Sequence, residues 1–132
     1  MTSETREIPP ERRFDLILMI EVIEHFELPV SILEEAKNLL TERGIIFVTT
    51  PCANSLKARV LPEKTAAYRE PTHLHFFSSQ SLELCFLKAG FSKFKRFYLP
   101  WMIPNRSPMM KTIDKLLYGI DLNPHLTYFL FK

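Results

Sequence analysis

Two short apolar runs separated by one amphipathic helix pattern constrain the fold more than any other feature of the sequence. Residues 14–20 (FDLILMI) and 45–50 (IIFVTT) are continuous apolar runs, which are typical of strands covered on both faces of a parallel sheet. Between them, apolar residues recur at helical spacing over 29–43, and Gly44 stands where a helix C-terminus favours a left-handed residue. The pattern predicts a strand-helix-strand crossover whose second strand ends at Pro51.

The rest of the chain extends this unit to a β-α-β-loop-α-β-α-β order. The further predicted elements are a long loop with one helical turn at 52–71, a helix capped by Ser78 and ended by Gly90, a strand at 94–99, a helix opened by Ser107 and Pro108 and closed by Gly119, and a final strand at 125–132. Alternating strands and helices indicate an α/β fold class, with three parallel strands followed by one antiparallel strand.

The composition is that of one globular domain without a membrane segment. Residues 1–13 are polar, carry Pro9 and Pro10, and predict an exposed lead-in to a single domain at 14–132. The longest aliphatic run, 16–20, is far shorter than the ~20 residues of a membrane helix. The formal net charge of +2 favours neither a nucleic-acid nor a membrane partner. Two cysteines without metal or redox spacing favour a reducing compartment, so we expect a cytoplasmic protein.

The three glycines are too far apart to form a phosphate-binding loop. Gly44, Gly90 and Gly119 are isolated from one another, whereas a fold that cradles a phosphate or dinucleotide normally places several glycines in one tight turn. A nucleotide-like cofactor would therefore be held by other residues of this chain, or by residues that this chain lacks.

Three ionisable residues, Glu21, Glu24 and His25, follow the first apolar strand in the string EVIEH. Ligands of doubly wound sheets sit beyond the carboxyl ends of the strands, and two carboxylates with an imidazole can converge on one divalent ion. In the alternative interpretation, Glu24 and His25 only begin a solvated turn before the helix.

A second cluster, PTHLHFFS, places His73 and His75 on one side of an extended segment. Such a pair can bind a metal or a substrate, or its imidazoles can be satisfied by backbone hydrogen bonds beneath the loop. Phe76 and Phe77 beside them are expected in the core. The neighbouring methionines Met109 and Met110 are expected in the core or along an apolar cleft.

The segments FDLILMIEVIEH, GIIFVTTP and HLHFFSSQSLELCFLKAGF together resemble the second half of the class I S-adenosylmethionine-dependent methyltransferases. The resemblance covers residues 14–99, and the final strand also fits. It implies a partial Rossmann-like, doubly wound sheet in which 14–20 is the family's fourth strand, 45–50 the fifth, and the last two strands form an antiparallel hairpin.

The family's glycine-rich cofactor loop has no counterpart in this sequence. We therefore expect a carboxyl-terminal half that is inactive alone and binds S-adenosylmethionine only with the rest of the fold. The alternative is a non-catalytic, truncated fragment that serves as an interaction module. Either way, the strand at 14–20 is expected to have an unpaired edge, which favours self-association through that strand.

Ubiquinone-pathway O-methyltransferases and methyltransferases that act on the terminal ribose of small RNAs carry the same Glu-x-x-Glu-His arrangement. This resemblance, which extends to type 11 and type 23 methyltransferase domains, implies a divalent metal, magnesium or manganese, on Glu21, Glu24, His25 and His73, with His75 as the substitute for His73.

The resemblance further implies methyl transfer to an oxygen nucleophile. Its acceptor would be a small molecule or a sugar or ribose hydroxyl, with His25 as the base when no metal is bound. The cofactor-binding candidates in this chain are Met19, Ile20 and Glu21, and the substrate-binding candidates are Tyr68, Arg69 and His75. The loop cations at 52–71 could meet an anionic substrate, although ordinary solvation of a loop explains them equally.

Overall fold

The computed structural model describes residues 9, 11–98, 107–119, 122 and 124–132. Its strands are β1 (Phe14–Ile20), β2 (Leu40–Pro51), β3 (Lys93–Arg96) and β4 (His125–Phe131). Its helices are α1 (Pro29–Asn38), α2 (Leu56–Val60), α3 (Ala66–Arg69), α4 (Ser79–Lys88) and α5 (Pro108–Gly119), with 3-10 turns at Ile23–His25 and Pro62–Lys64. Among the described residues, no helix combines the length and apolar character needed to cross a membrane.

The four strands form one sheet in the order β1-β2-β4-β3. β1 and β2 are parallel, and β4 is antiparallel to both β2 and β3, so that β1, β2 and β3 share one direction. This confirms the predicted α/β class with three parallel strands and one antiparallel strand. The last strand in sequence therefore lies inside the sheet, between two strands that precede it.

The core lies between one face of the sheet and the layer formed by α1 and α4. Its fully buried side chains include Ile23, Leu33, Ile46, Val48, Leu82, Phe86, Leu126, Tyr128 and Leu130. On the opposite face of β1, Leu16, Leu18 and Ile20 are 53%, 57% and 49% exposed. The prediction that β1 is covered on both faces is therefore wrong for the described structure. Helices α1 and α4 both pack on the face of the sheet that forms the core, which leaves the other face of β1 exposed.

The predicted extent of the first helix is also wrong. α1 ends at Asn38, and β2 begins at Leu40, so Gly44 lies in a strand rather than at a helix end. A Cβ on Gly44 would lie 2.8 Å from the Leu40 Cβ and 2.9 Å from the Phe14 carbonyl oxygen. The glycine is needed for this close approach, where the pairing of β1 with β2 shifts register. Strand pairing overrides the helical periodicity here.

The helix boundaries predicted for the second half of the chain are confirmed. Ser78 caps α4 by accepting a hydrogen bond from the Ser81 backbone, and Gly90 follows with a φ of 80°. The Ser107 hydroxyl accepts a hydrogen bond from the Met110 backbone at the start of α5, which ends at Gly119.

Other predictions for this half need correction. The strand expected at 94–99 is Lys93–Arg96, with Leu99 outside the described residues, as are most of the predicted lead-in residues. The stretch at 52–71 contains two short helices rather than one turn. Phe77 is buried as predicted, whereas Phe76 is 49% exposed and Met109 is 70% exposed, so neither belongs to the core.

Candidate active site

The polar residues of the site meet at one edge of the sheet, where β1 and β2 end and β4 begins. Glu21 directly follows β1, and Thr49 and Thr50 lie near the end of β2. Because β4 is antiparallel to β2, its first residue, His125, pairs with Pro51 at this same edge. The carboxyl ends of the parallel strands thus place carboxylates, hydroxyls and imidazoles together.

Three of the predicted metal ligands, Glu24, His25 and His73, are brought together. Each offers one ligand atom, and these atoms lie within 4.8 Å of one another. The imidazoles of His25 and His73 meet edge to face with ring centroids 4.7 Å apart. The backbone carbonyl of Glu24 accepts hydrogen bonds from the amides of Leu74 and His75, which attaches the THLH segment to the EVIEH turn.

The Glu24 carboxylate is fully buried. Its Oε2 accepts a 2.9 Å hydrogen bond from the Thr50 hydroxyl. Its Oε1 lies 3.9 Å from Nε2 of His73 and makes no hydrogen bond to any described residue. A buried carboxylate oxygen without a donor is costly, so this oxygen is a ready ligand for a cation.

His25 has a defined tautomer. Its Nδ1 lies 2.9 Å from the carbonyl oxygen of Thr72. Since a carbonyl oxygen only accepts, Nδ1 carries a proton, and in the neutral ring Nε2 has the lone pair that a metal or a substrate proton would use.

Glu21 lies outside this group of three and makes different contacts. It is the one residue other than glycine for which the described structure records a positive φ, 50°. Its Oε1 accepts a 3.0 Å hydrogen bond from the Thr49 hydroxyl and lies 3.5 Å from Nδ1 of His125. Burial raises the pKa of Glu21, but the nearby imidazole of His125, the Thr49 hydrogen bond and the charge of His73 together outweigh burial and lower the pKa below its ordinary value.

A cavity of about 290 Å³ opens beside these residues. The acidic and basic side chains that line it are Glu21, Lys57, Glu70, His73 and His125. His73 thus belongs both to the cavity wall and to the group with Glu24 and His25. A volume of this size accommodates a small polar molecule, or part of a larger one, next to two imidazoles and two carboxylates.

The remaining predicted site residues lie elsewhere. The Met19 side chain is buried in the core, and the Ile20 side chain is 49% exposed on the opposite face of β1. Tyr68 donates its hydroxyl proton to the Ala53 carbonyl.

Arg69 is exposed, and His75 has its Nε2 3.3 Å from the Glu27 carbonyl oxygen. The backbone contact of His75 matches the structural alternative considered for that residue. Tyr68, Arg69 and His75 are not among the residues that line the 290 Å³ cavity.

Sequence reasoning missed His125, Thr49 and Thr50. The sequence offered a signal for the two threonines, which end the buried strand IIFVTT, whereas residue 125 reaches this strand end only because β4 pairs antiparallel with β2. Polar residues at the end of a buried strand are otherwise hard to explain, and the two threonines bind the two glutamates.

Comparison with known proteins shows which family the sequence matches. Residues 1–95 match the family model described as a methyltransferase domain. A 43-residue segment is 44% identical to the ubiquinone biosynthesis O-methyltransferase of Glaesserella parasuis serovar 5 (strain SH0165). This matched segment makes up 33% of this chain and 18% of that protein.

Solved structures share the fold. A SAM-dependent methyltransferase from Archaeoglobus fulgidus matches with a TM-score of 0.61 and 16% identity, over 93% of this chain and 61% of that one. A SAM-dependent methyltransferase from Thermotoga maritima, titled a possible histamine N-methyltransferase, matches with a TM-score of 0.64 and 20% identity, over 95% of this chain and 59% of that one. The chain thus spans about three fifths of these structures. The chain shares the fold of SAM-dependent methyltransferases, and its sequence belongs to the methyltransferase domain family.

Proposed function

We propose that this chain takes part in S-adenosylmethionine-dependent methyl transfer to a hydroxyl oxygen and supplies the acceptor side of the reaction. The observation that carries the proposal is the group of Glu24, His25 and His73 beside the 290 Å³ cavity, at the sheet edge where doubly wound folds bind ligands. Family membership supplies the reaction class.

S-adenosylmethionine brings a methyl group already activated on a sulfonium, so the protein mainly aligns the acceptor and removes its proton. In this chain, the end of β1 offers one wall for the cofactor through Ile20 and Glu21. Met19 contributes only backbone, because its side chain packs in the core. We expect this wall alone to bind the cofactor weakly. A micromolar dissociation constant requires a binding free energy of ~8 kcal/mol, which one wall of a site does not supply.

The group of Glu24, His25 and His73 is our candidate site for a divalent cation. One carboxylate oxygen and two imidazole nitrogens suit manganese better than magnesium, and the Glu24 oxygen without a described donor would gain its missing partner. Such an ion would polarise the acceptor hydroxyl and could bind two neighbouring oxygens, as in a catechol, a vicinal diol or a terminal ribose. Without an ion, Nε2 of His25 is free to act as a base.

The alternative role, a non-catalytic interaction module, is favoured by one observation. The apolar row of Leu16, Leu18 and Ile20 on β1 is about half exposed. Exposed apolar rows mark protein contacts. This row would bind a protein whether or not the chain takes part in catalysis.

A chimera tests the proposal. Residues 14–132 replace the structurally matching segment of the Archaeoglobus fulgidus methyltransferase, whose own amino-terminal part is retained. We expect transfer of radiolabelled methyl from S-adenosylmethionine to catechol, and loss of transfer in the Glu24→Gln version.

Circular dichroism and cofactor titration serve as controls for folding and binding. A chimera that folds and binds S-adenosylmethionine but methylates no hydroxyl compound contradicts the proposal and favours the interaction module.

A further inference from the structure

Part of the cavity wall comes from the 52–71 stretch rather than from the sheet edge. Ser55, Lys57, Thr65 and Glu70 line the cavity from this stretch. Ser55 caps the short helix α2, and Lys57 lies in its first turn. The proposed methyl transfer leaves these residues without a part in binding the acceptor.

Lys57 differs from the other cations of the same stretch. Of the four lysines and arginines at 52–71, Lys57 lines the 290 Å³ cavity, whereas Lys64 and Arg69 are not among its lining residues. Arg59 also lies off the cavity wall and donates from its Nε to the Asn54 carbonyl at 3.0 Å. Lys57 takes part in none of the ion pairs formed within the described part of the chain. Its ammonium therefore has protons to offer to a ligand in the cavity.

Ser55 adds a buried donor to the same wall. The residue is 2% exposed, and its Oγ accepts a 3.2 Å hydrogen bond from the Ala58 amide. A hydroxyl can also donate one hydrogen bond, and among the described residues none accepts the proton of Ser55. Because a buried donor without an acceptor is costly, this proton is available to a ligand that accepts hydrogen bonds.

We propose that Lys57 and Ser55 form a subsite for a carboxylate of the methyl acceptor, so that the acceptor is a small hydroxy acid. The inference rests on the proposed methyl transfer and deepens it by naming the substrate class. A carboxylate only accepts hydrogen bonds, which matches the ammonium of Lys57 and the hydroxyl of Ser55. The acceptor hydroxyl would then face His73, which belongs both to this cavity and to the candidate metal group.

The other charges along the cavity limit the charge of the ligand. Glu21 and Glu70 also line the cavity and disfavour an anion beside them. The pKa of Glu21 lies below its ordinary value, so this carboxylate is ionised at neutral pH, with the imidazole of His125 3.5 Å away. One ammonium against two carboxylates suits a ligand with a single negative charge. A carboxylate therefore fits better than a phosphate monoester, which carries about −1.5 to −2.

A matched pair of compounds tests the subsite on the chain as it is. Protocatechuate is catechol with a carboxylate on its ring, and protocatechuamide carries a neutral amide of similar size in its place. Calorimetric titration measures the affinity of the chain for each. We expect the acid to bind roughly tenfold more tightly than the amide, because a hydrogen bond to a charged group contributes at least this factor. Equal affinities, tighter binding of the amide, or binding of neither compound overturns the proposal.

Variants of α2 identify the residue that is responsible. Lys57→Gln should reduce the preference for the acid to about twofold or less, whereas Lys57→Arg keeps the charge and should retain most of it. Arg59→Gln is the matched control, since it removes a cation of the same helix that does not line the cavity. A preference that survives Lys57→Gln, or one that Arg59→Gln removes equally, overturns the proposal. Circular dichroism checks the fold of each variant.

A kinetic experiment separates this inference from the proposed function. In the active chimera, Lys57→Gln should raise KM for protocatechuate roughly tenfold more than KM for catechol, with a smaller change in kcat. Equal changes in the two KM values reject the subsite while leaving methyl transfer intact. A folded, cofactor-binding chimera that methylates neither compound instead rejects the proposed function, and the titrations still decide whether Lys57 binds the carboxylate.

Discussion

Replacing Glu24 by Gln tests whether the buried carboxylate is a cation ligand. Glu24 is fully buried, its Oε2 is bound by Thr50, and its Oε1 makes no hydrogen bond to any described residue. An unsatisfied buried oxygen costs about 1–3 kcal/mol, and a bound ion would remove that cost.

The size of the effect follows from linkage. When the free concentration of an ion is 100 times its dissociation constant, binding stabilises the folded chain by about 2.7 kcal/mol. For a chain of 132 residues, 1 kcal/mol corresponds to roughly 3–5 °C in Tm, so manganese should raise Tm by about 10 °C. Gln keeps an acceptor for Thr50 but carries no charge, so we expect the manganese shift of Glu24→Gln to fall below about 3 °C.

Thermal unfolding followed by circular dichroism, in chelator and then in rising manganese, provides the measurement. Glu27→Gln is the matched control, since Glu27 is an exposed carboxylate of the same segment and should keep the full shift. Equal shifts in the native chain and in Glu24→Gln, or no manganese-dependent shift in the native chain, would refute the reasoning.

Four shorter predictions concern other parts of the chain. Gly44→Ala places a methyl group 2.8 Å from a neighbouring side-chain carbon and should cost about 1–3 kcal/mol in urea unfolding; an unchanged midpoint contradicts the close approach. Because the folded pKa of Glu21 lies below its ordinary value, its stabilising effect is present above that ordinary value and is lost as pH falls through the folded pKa; Glu21→Gln should therefore flatten the acid limb of the stability profile. Burial raises the pKa of the Cys85 thiol, so its reaction with a disulfide reagent at neutral pH should be slower than that of the unfolded chain. Leu18→Lys on the exposed face of β1 should reduce self-association in light scattering, whereas a native chain that is already a monomer contradicts the predicted pairing of its edge.

The sequence predicted the elements better than their surroundings. Local signals were reliable: α4 begins after its capping residue Ser78 and ends before Gly90, whose positive φ suits a glycine. The apolar run of β1 did not distinguish a strand covered on both faces from one with an exposed row, because burial depends on which layers pack against it. Gly44 fits both a helix end and a tight strand contact, and only the pairing with β1 decides between them.

The sequence predicted three of the four proposed metal ligands correctly as a group, but not the position of the fourth. The clusters EVIEH and THLH meet because one follows the carboxyl end of β1 and the other is tied to it by backbone hydrogen bonds. Glu21 was expected among the metal ligands, but its positive φ directs it toward His125 instead. Glu21 and His125 are more than a hundred positions apart and meet because β4 pairs with β2. Local sequence patterns do not reveal this strand order.

The place of β4 in the sheet also imposes an order of assembly during synthesis. Within the described sheet, β3 pairs with β4 alone, yet β3 leaves the ribosome first. Until β4 follows, β3 lacks its neighbour and β2 keeps an open edge, because a pairing of distant segments forms only after the intervening chain has been made. A nascent chain halted between these two strands would expose unpaired edges to its neighbours on the polysome. The rate at which residues 97–131 are translated should therefore influence how much of the protein escapes aggregation.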